Sequence, residues 1–283
     1  MTLIPTLFPP SVAAVSVAYN SAAVMPGLAD SLPPDLPLTV VDNGPDDGLR
    51  AWAAGRGIRV LVPGQNLGFG NGCNLGARDS DGEFLLFLNP DARLDPDALA
   101  ELLRTAAQHP KAAAFGPVLL NEAGQVRYKR NSYLLPRWSR PPRDPGTQPQ
   151  PVPVLSGAVL LVRRAAFDAV GGFDPAIFLY FEDDDLCLRL TRNGSPLFLV
   201  PTARARHAAG TSSTPSPALS RFKGFHWTRS RIHVGRKHGL RLPWLGGFRD
   251  GLSHLLSPRS WSDPSHRNEA LGRIAGALSL LRR

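Results

Sequence analysis

The sequence predicts an α/β fold, with a sheet whose leading strands run parallel and helices packed on its faces. Three observations carry this. Apolar runs with strand propensity recur at Val12–Ala18, 38–41 and 58–62. Helical stretches at 22–29 and 48–54 separate them, and strands alternating with helices argue for parallel pairing. Each run also ends in polar or flexible residues: Tyr19-Asn20-Ser21, Asp42-Asn43-Gly44, and then a glycine-rich segment. In a parallel sheet these three ends emerge along one edge, where open α/β sheets bind ligands.

Length and composition bound the rest. The 283 residues are 43% hydrophobic, enough for one large domain or one domain plus an extension. Cys73 and Cys187 are the only cysteines, too few for a disulfide framework or a zinc cluster, so a reducing cytoplasm is the expected compartment. The first residues carry no basic region, and Pro5, Pro9 and Pro10 interrupt them, which makes a poor signal peptide. No apolar run approaches the ~20 residues that span a bilayer. Residues 201–283 hold 15 Lys and Arg against 3 Asp and Glu, while residues 1–200 hold 17 against 20. A basic tail of this kind meets an anionic membrane, nucleic acid or only solvent. It has no nucleic-acid motif, so nucleic acid ranks last.

Residues 65–91 read QNLGFGNGCNLGARDSDGEFLLFLNPD. A glycine-rich loop comes first, with Gly68, Gly70, Gly72 and Gly76, and Asn66, Asn71, Asn74 and Asn89 frame it. Glycine lets backbone approach a bulky ligand, and asparagine offers donors and acceptors to ribose or a base edge. The apolar run 83–88 is a buried strand candidate that Pro90 stops, so Asp91 sits just past its end. Each part also has a plain reading: a tight turn, a D-N-G turn at Asp42, a helix cap at Asp91. A dinucleotide-binding reading of GFGNG fails, because the third glycine is out of register.

Farther on, Asp95 is the expected N-cap of a helix with Pro96 in its first turn, and Leu99, Leu102, Leu103 and Ala106 form its buried stripe. Residues 112–120 form the next strand, and 125–133 pair nearby. The seven prolines of 136–153 predict a surface loop without regular structure. The sheet resumes at 154–162, followed by a short helix at 164–170 closed by Gly171-Gly172. Aromatic residues Phe178, Tyr180 and Phe181 then precede Glu182-Asp183-Asp184-Asp185. An acidic first helical turn is favoured by the helix dipole. The aromatics add desolvation, which would raise a carboxyl toward a general base's working range.

Two motif sets in this order resemble family-two glycosyltransferases with the GT-A fold, in particular the rhamnosyltransferase-like branch. The first is V-A-Y-N-S, V-V-D-N, N-x-G-F-G-x-G-x-N-x-G and L-N-P-D. The second is S-G-A-x-x-L-x-R-R, G-G-F-D-P and F-E-D-D-D-L-C-L-R. The resemblance covers about residues 11–238. It implies a nucleotide-sugar-diphosphate transferase sheet, Rossmann-like and mixed, over 11–212. The donor half would be 11–120 and the acceptor half 121–212, with a basic helical extension over 213–283.

It implies that Tyr19, Asn20, Asp42, Asn43, Asn66, Gly70, Asn74 and Asn89 bind a dTDP-, UDP- or GDP-linked sugar. Ser156, Gly157, Gly172 and Asp174 would face a saccharide or lipid-linked acceptor. Asp91 and His207 would hold a divalent cation, Mg²⁺ or Mn²⁺. Asp183 would be the catalytic base with Glu182 beside it, and Asp185 would cap or ion-pair within the helix. Asn89 stands where the commoner D-x-D motif has its first carboxylate, which weakens a metal site. The implied reaction is inverting transfer in cell-surface polysaccharide synthesis.

The tail has apolar residues at near-helical spacing: Leu219, Phe222, Phe225 and Ile232, then Leu271, Ile274, Leu278 and Leu281. Packing on the catalytic domain is the plain expectation for it. Peripheral contact at the inner face of the plasma membrane is the sharper one. Two rival functions remain. A sugar-phosphate nucleotidyltransferase would need a basic glycine-rich loop after the first strand, where Ala18-Tyr19-Asn20-Ser21 stands. A catalytically silent saccharide- or nucleotide-binding protein would not need both Asp91 and Asp183.

Overall fold

A computed structural model describes residues 11–207 and 216–281. The elements run β1 (Val12–Ala18), α1 (Met25–Asp30), β2 (Leu38–Asp42), α2 (Leu49–Ala54), β3 (Arg59–Leu61), α3 (Phe69–Arg78), β4 (Phe84–Leu88), β5 (Ala92–Leu94), α4 (Ala98–Gln108), β6 (Ala114–Leu120), β7 (Val126–Arg127), β8 (Gln150–Val152), β9 (Val159–Arg163), α5 (Arg164–Ala169), α6 (Glu182–Arg192), β10 (Leu197–His207), α7 (Pro217–Lys237), α8 (Pro243–Leu255), α9 (Arg259–Ser262) and α10 (Pro264–Leu278).

One mixed sheet has the order β3-β2-β1-β4-β9-β6-β10-β5. Its first four strands are parallel, as the alternation of strands and helices predicts. Antiparallel β9 then inserts between β4 and β6. The donor and acceptor halves of the chain are therefore interleaved in one sheet. Strand β4 reads FLLFL because both of its faces are covered. Phe84, Leu86 and Leu88 pack toward α1, α2 and α4 with Met25, Leu28 and Leu102. Leu85 and Phe87 pack toward α3, α5 and α6 with Cys73, Phe167 and Leu186. Burying each such side chain is worth about 1.5–3 kcal/mol.

Three local expectations are corrected. The glycine segment is mostly helix: α3 starts at Phe69, and Gly72 and Gly76 let it lie directly against Val17 and Val15 of β1. Asp95 is not the cap of α4. Its N–H donates to the Arg204 carbonyl at 3.0 Å, prolonging the sheet, and the helix begins at Ala98. The proline-rich stretch contains strand β8, antiparallel to β10 with Pro151 opposite Phe198, and a 3₁₀ turn at Arg137–Ser139. Proline is tolerated there because an edge strand does not need every N–H.

The helical extension is bound firmly to the sheet domain. Asp185, fully buried at the start of α6, accepts from Lys237 and His238 at 2.8 Å and from Arg189 at 2.7 Å. Asp174 pairs with His233 at 3.0 Å and Lys237 at 2.6 Å. Within the extension, Gly224 on α7 faces the Glu269 carbonyl, while Gly272 and Gly276 on α10 face the carbonyls of Arg221 and Phe225. The two backbones meet where any side chain would hold them apart.

Candidate active site

A cavity of about 380 Å³ opens beyond the C-terminal ends of β1 and β4. Topology explains why it holds polar residues. After β4 the chain leaves the sheet centre through Asn89-Pro90-Asp91 and re-enters at the far edge as β5, antiparallel to β10. His207 is the register partner of Ala92, so Asp91 meets it, with Oδ1 3.3 Å from Nε2. Asn89 Nδ2 lies 3.1 Å from the same nitrogen. That nitrogen can accept from the amide or donate to the carboxylate, according to its tautomer.

One wall is formed by Tyr19, Ser21, Asn43 and Asn66. Asn43 donates to the Gly68 carbonyl at 3.0 Å, and Asn66 Oδ1 accepts from the Gly68 N–H at 2.9 Å. Gly68 has φ +80°, and a Cβ on it would strike the Phe178 carbonyl. The opposite wall is Ser156, Gly157, Ala158, Glu182 and Asp183. Leu219, Phe222 and Lys223 of α7 close the cavity against Phe178, Leu179 and Tyr180.

The carboxylates of the opposite wall differ sharply. Asp183 Oδ2 accepts the Gly157 N–H at 2.9 Å, and Oδ1 accepts Lys129 Nζ at 2.8 Å. Burial alone would push Asp183 up, but the Lys129 ammonium and these hydrogen bonds outweigh it and hold the group below the usual carboxylate range. Glu182 goes the other way. Burial, helped by the Asp183 charge, pushes it up to about 8. Its Oε2 has no hydrogen-bond partner among the described residues. The sequence argument that the aromatics raise the base is thus corrected for Asp183: desolvation prevails at Glu182, and a cation reverses it one residue on. Lys129 also pairs with Asp184 at 2.7 Å.

The helix carrying these groups starts abruptly. Tyr180 and Phe181 both lie in the left-handed region, at φ +68° and +67°. Such residues cost about 1–3 kcal/mol each and persist only where neighbours fix them. Here Ser230 of α7 donates to the Leu179 carbonyl at 2.8 Å, and Trp227 packs 5.4 Å from the Phe181 ring.

Of the residues expected at the site, Tyr19, Asn43, Asn66, Asn89, Asp91, Ser156, Gly157, Glu182, Asp183 and His207 line this cavity, and six do not. Asn20 is exposed, with φ +52°. Asp42 is buried and spends its carboxylate on Arg50 at 2.7 Å and the Gly44 N–H. Gly70 packs under Phe173. The Asn74 amide is fully used on the Phe173 backbone, donating at 2.8 Å and accepting at 2.9 Å. Gly172 faces Asn74 with φ +72°. Asp174 anchors α7, and Lys237 and His233 hold it well below the usual range despite its burial. Residues 208–215, which follow His207, lie outside the described residues.

Sequence reasoning missed Lys129 and the α7 wall. Four adjacent carboxylates do signal a buried cation nearby, although nothing local says which. Leu219 and Phe222 stood out only as helix-face residues.

Comparison with known proteins agrees with this architecture. Residues 15–171 match the glycosyl transferase family 2 model. The chain is 35% identical over 264 residues to an N-acetylglucosaminyl-diphospho-decaprenol L-rhamnosyltransferase of Mycobacterium tuberculosis, covering 80% of this chain and 85% of that one. It is 31% identical over 169 residues to a rhamnosyltransferase of Escherichia coli, covering 52% and 63% respectively. A mannosyltransferase from Pyrobaculum calidifontis, solved with GDP-Man and Mn²⁺, superposes with a TM-score of 0.60 at 19% identity, covering 98% of this chain and 79% of that one. The motif order, the interleaved sheet and these matches agree: the chain belongs to glycosyltransferase family 2 and is a glycosyltransferase with the GT-A fold.

Proposed function

We propose that the protein is an inverting glycosyltransferase that moves a sugar, rhamnose in the first instance, from a nucleoside diphosphate to a lipid-linked saccharide. The observation that carries the proposal is the pairing of an ionised Asp183 with the Asp91–His207 pair across one cavity. Tyr19, Asn43 and Asn66 would hold the nucleoside, with Asn89 beside the diphosphate. Ser156 and Gly157 would border the acceptor.

Asp91 and His207 would hold a divalent cation. The carboxylate oxygen suits Mg²⁺ or Mn²⁺, and the imidazole nitrogen favours Mn²⁺ over the harder Mg²⁺. No group of three or more His, Cys, Asp or Glu among the described residues would hold a metal alone, so diphosphate oxygens would complete the shell. Such an ion supplies Lewis-acid stabilisation of charge on the leaving diphosphate.

Asp183 would take the proton from the acceptor hydroxyl as that oxygen attacks the anomeric carbon opposite the diphosphate. Lys129 acts as a positioning residue, keeping Asp183 ionised and aimed. The relatives support the sugar and acceptor class, since one is named as a rhamnosyltransferase using a decaprenol-linked acceptor.

The test is a thermal-shift panel of dTDP-, UDP- and GDP-sugars, with and without Mn²⁺. One donor should stabilise the wild type in a Mn²⁺-dependent way, and Asp91→Ala should remove that dependence. Wild-type diphosphate affinity in Asp91→Ala with Mn²⁺ present would remove the metal assignment.

A further inference from the structure

Helix α8 buries Gly247 and Gly251 and exposes Leu245 and Leu252. Gly247 packs on Thr228 and Ile232 of α7, and Gly251 packs on Ile274 of α10. The opposite face carries Leu245, Arg249, Leu252 and Leu256, at the 4-3-4 spacing that lines up residues along one side of a helix. Leu242 and Leu256 at the ends are 71% and 70% exposed, and Trp261 on the following α9 is 85% exposed. Single exposed leucines need no explanation, but an aligned stripe with a tryptophan at its end does.

The charges say what covers it. Arg249 sits within the stripe, and Arg241 and Arg259 flank it. Among the described residues Arg241 and Arg249 make no salt bridge. The acidic groups nearby are already committed: Asp250 and Glu269 to Arg273, and Asp263 to the α10 N-terminus and Arg259. An apolar stripe with Arg241 and Arg249 unpaired among the described residues, and an exposed tryptophan following it, is complementary to acyl chains beneath anionic headgroups. No described helix is long and apolar enough to cross a membrane, so contact would be lateral.

We propose that the Leu242–Trp261 face is a docking surface for an anionic lipid bilayer, with α8 lying in the plane of the interface. This deepens the proposed function, because a lipid-linked acceptor is met at a bilayer. It also joins the surface to the site: α7, against which α8 packs, walls the cavity with Leu219, Phe222 and Lys223.

Co-sedimentation of the full chain with phosphatidylglycerol/phosphatidylcholine vesicles, against pure phosphatidylcholine vesicles, tests it. The wild type should bind the anionic vesicles, and more weakly as salt rises. The Leu245→Ser, Leu252→Ser, Leu256→Ser, Trp261→Ala variant should need at least about tenfold more lipid for half-binding. Arg249→Gln with Arg241→Gln should weaken binding to anionic vesicles only. Donor-induced thermal shifts measured in parallel should match wild type in both variants, showing that they fold and keep the cavity.

Equal vesicle binding by wild type and the leucine variant would overturn the proposal, as would no binding by wild type. A dimeric wild type beside a monomeric leucine variant in sedimentation velocity, without vesicle binding, would overturn it in favour of a contact between copies. Vesicle binding without sugar transfer would instead fault the enzymatic reading and leave the surface standing.

Discussion

Glu182 and Asp183 are adjacent, partly buried and chemically opposite, and Lys129 is the reason. Glu182 is held protonated up to about 8, against an ordinary 4.5. A group whose folded pKa is raised favours the fold fully below its unfolded value. That contribution is lost as pH rises through the folded value. Without ligand, the wild type should therefore lose melting temperature relative to Glu182→Gln between pH 4.5 and 8. Parallel melting curves across that window would show that Glu182 is not held neutral.

Lys129 acts on the other carboxylate. Lys129→Met should let burial raise Asp183, moving the acidic limb of the transfer-rate profile to higher pH, while Lys129→Arg restores it. A lower rate with an unmoved profile would make Lys129 merely structural. The pairing was not legible in the sequence, because Lys129 and Asp183 come together only through the fold. Asp183 and Asp91 themselves were legible, since an acidic helix start and a strand end are local features.

Elements were legible where burial is strong and local. The runs behind β1, β2 and β4 needed only hydrophobicity and a polar stop. Helix α3 was not, because its three glycines argue against helix by intrinsic propensity. Close packing on Val15 and Val17 overrides that propensity and makes glycine the requirement. Strand β8 was hidden by prolines that an edge position tolerates.

The approach of Gly68 to the Phe178 carbonyl joins α3 to the strained turn before α6, so it gives a prediction at this scale. Gly68→Ala would place a Cβ on a backbone at φ +80°, ψ 174°, a region essentially reserved for glycine, at a cost of about 1–3 kcal/mol, and would also push Phe178 outward. Gly64→Ala, at φ +77° in open space, would incur a positive-φ backbone cost but no clash. Gly68→Ala should thus melt lower than Gly64→Ala and bind the donor more weakly, as read by thermal shift and calorimetry. Equal behaviour of the two variants would show that the turn is not braced there.

At the scale of the whole molecule, the basic extension packs on the sheet domain, as its apolar residues at near-helical spacing lead one to expect. Its first helix walls the cavity, and Asp185 and Asp174 fasten it to the sheet domain. Both anchors lie within the second motif set, and one of them, Asp174, is a residue expected to face the acceptor.

The central claim is that one carboxylate, Asp183, takes the acceptor proton while other residues of the cavity hold the donor. The most direct measurement compares wild type and Asp183→Asn for steady-state transfer from the preferred nucleotide sugar and, separately, for donor Kd. The account predicts a loss of transfer of about 10²–10⁴-fold with donor Kd essentially unchanged. Wild-type transfer by Asp183→Asn, or donor binding lost in proportion to transfer, would contradict it.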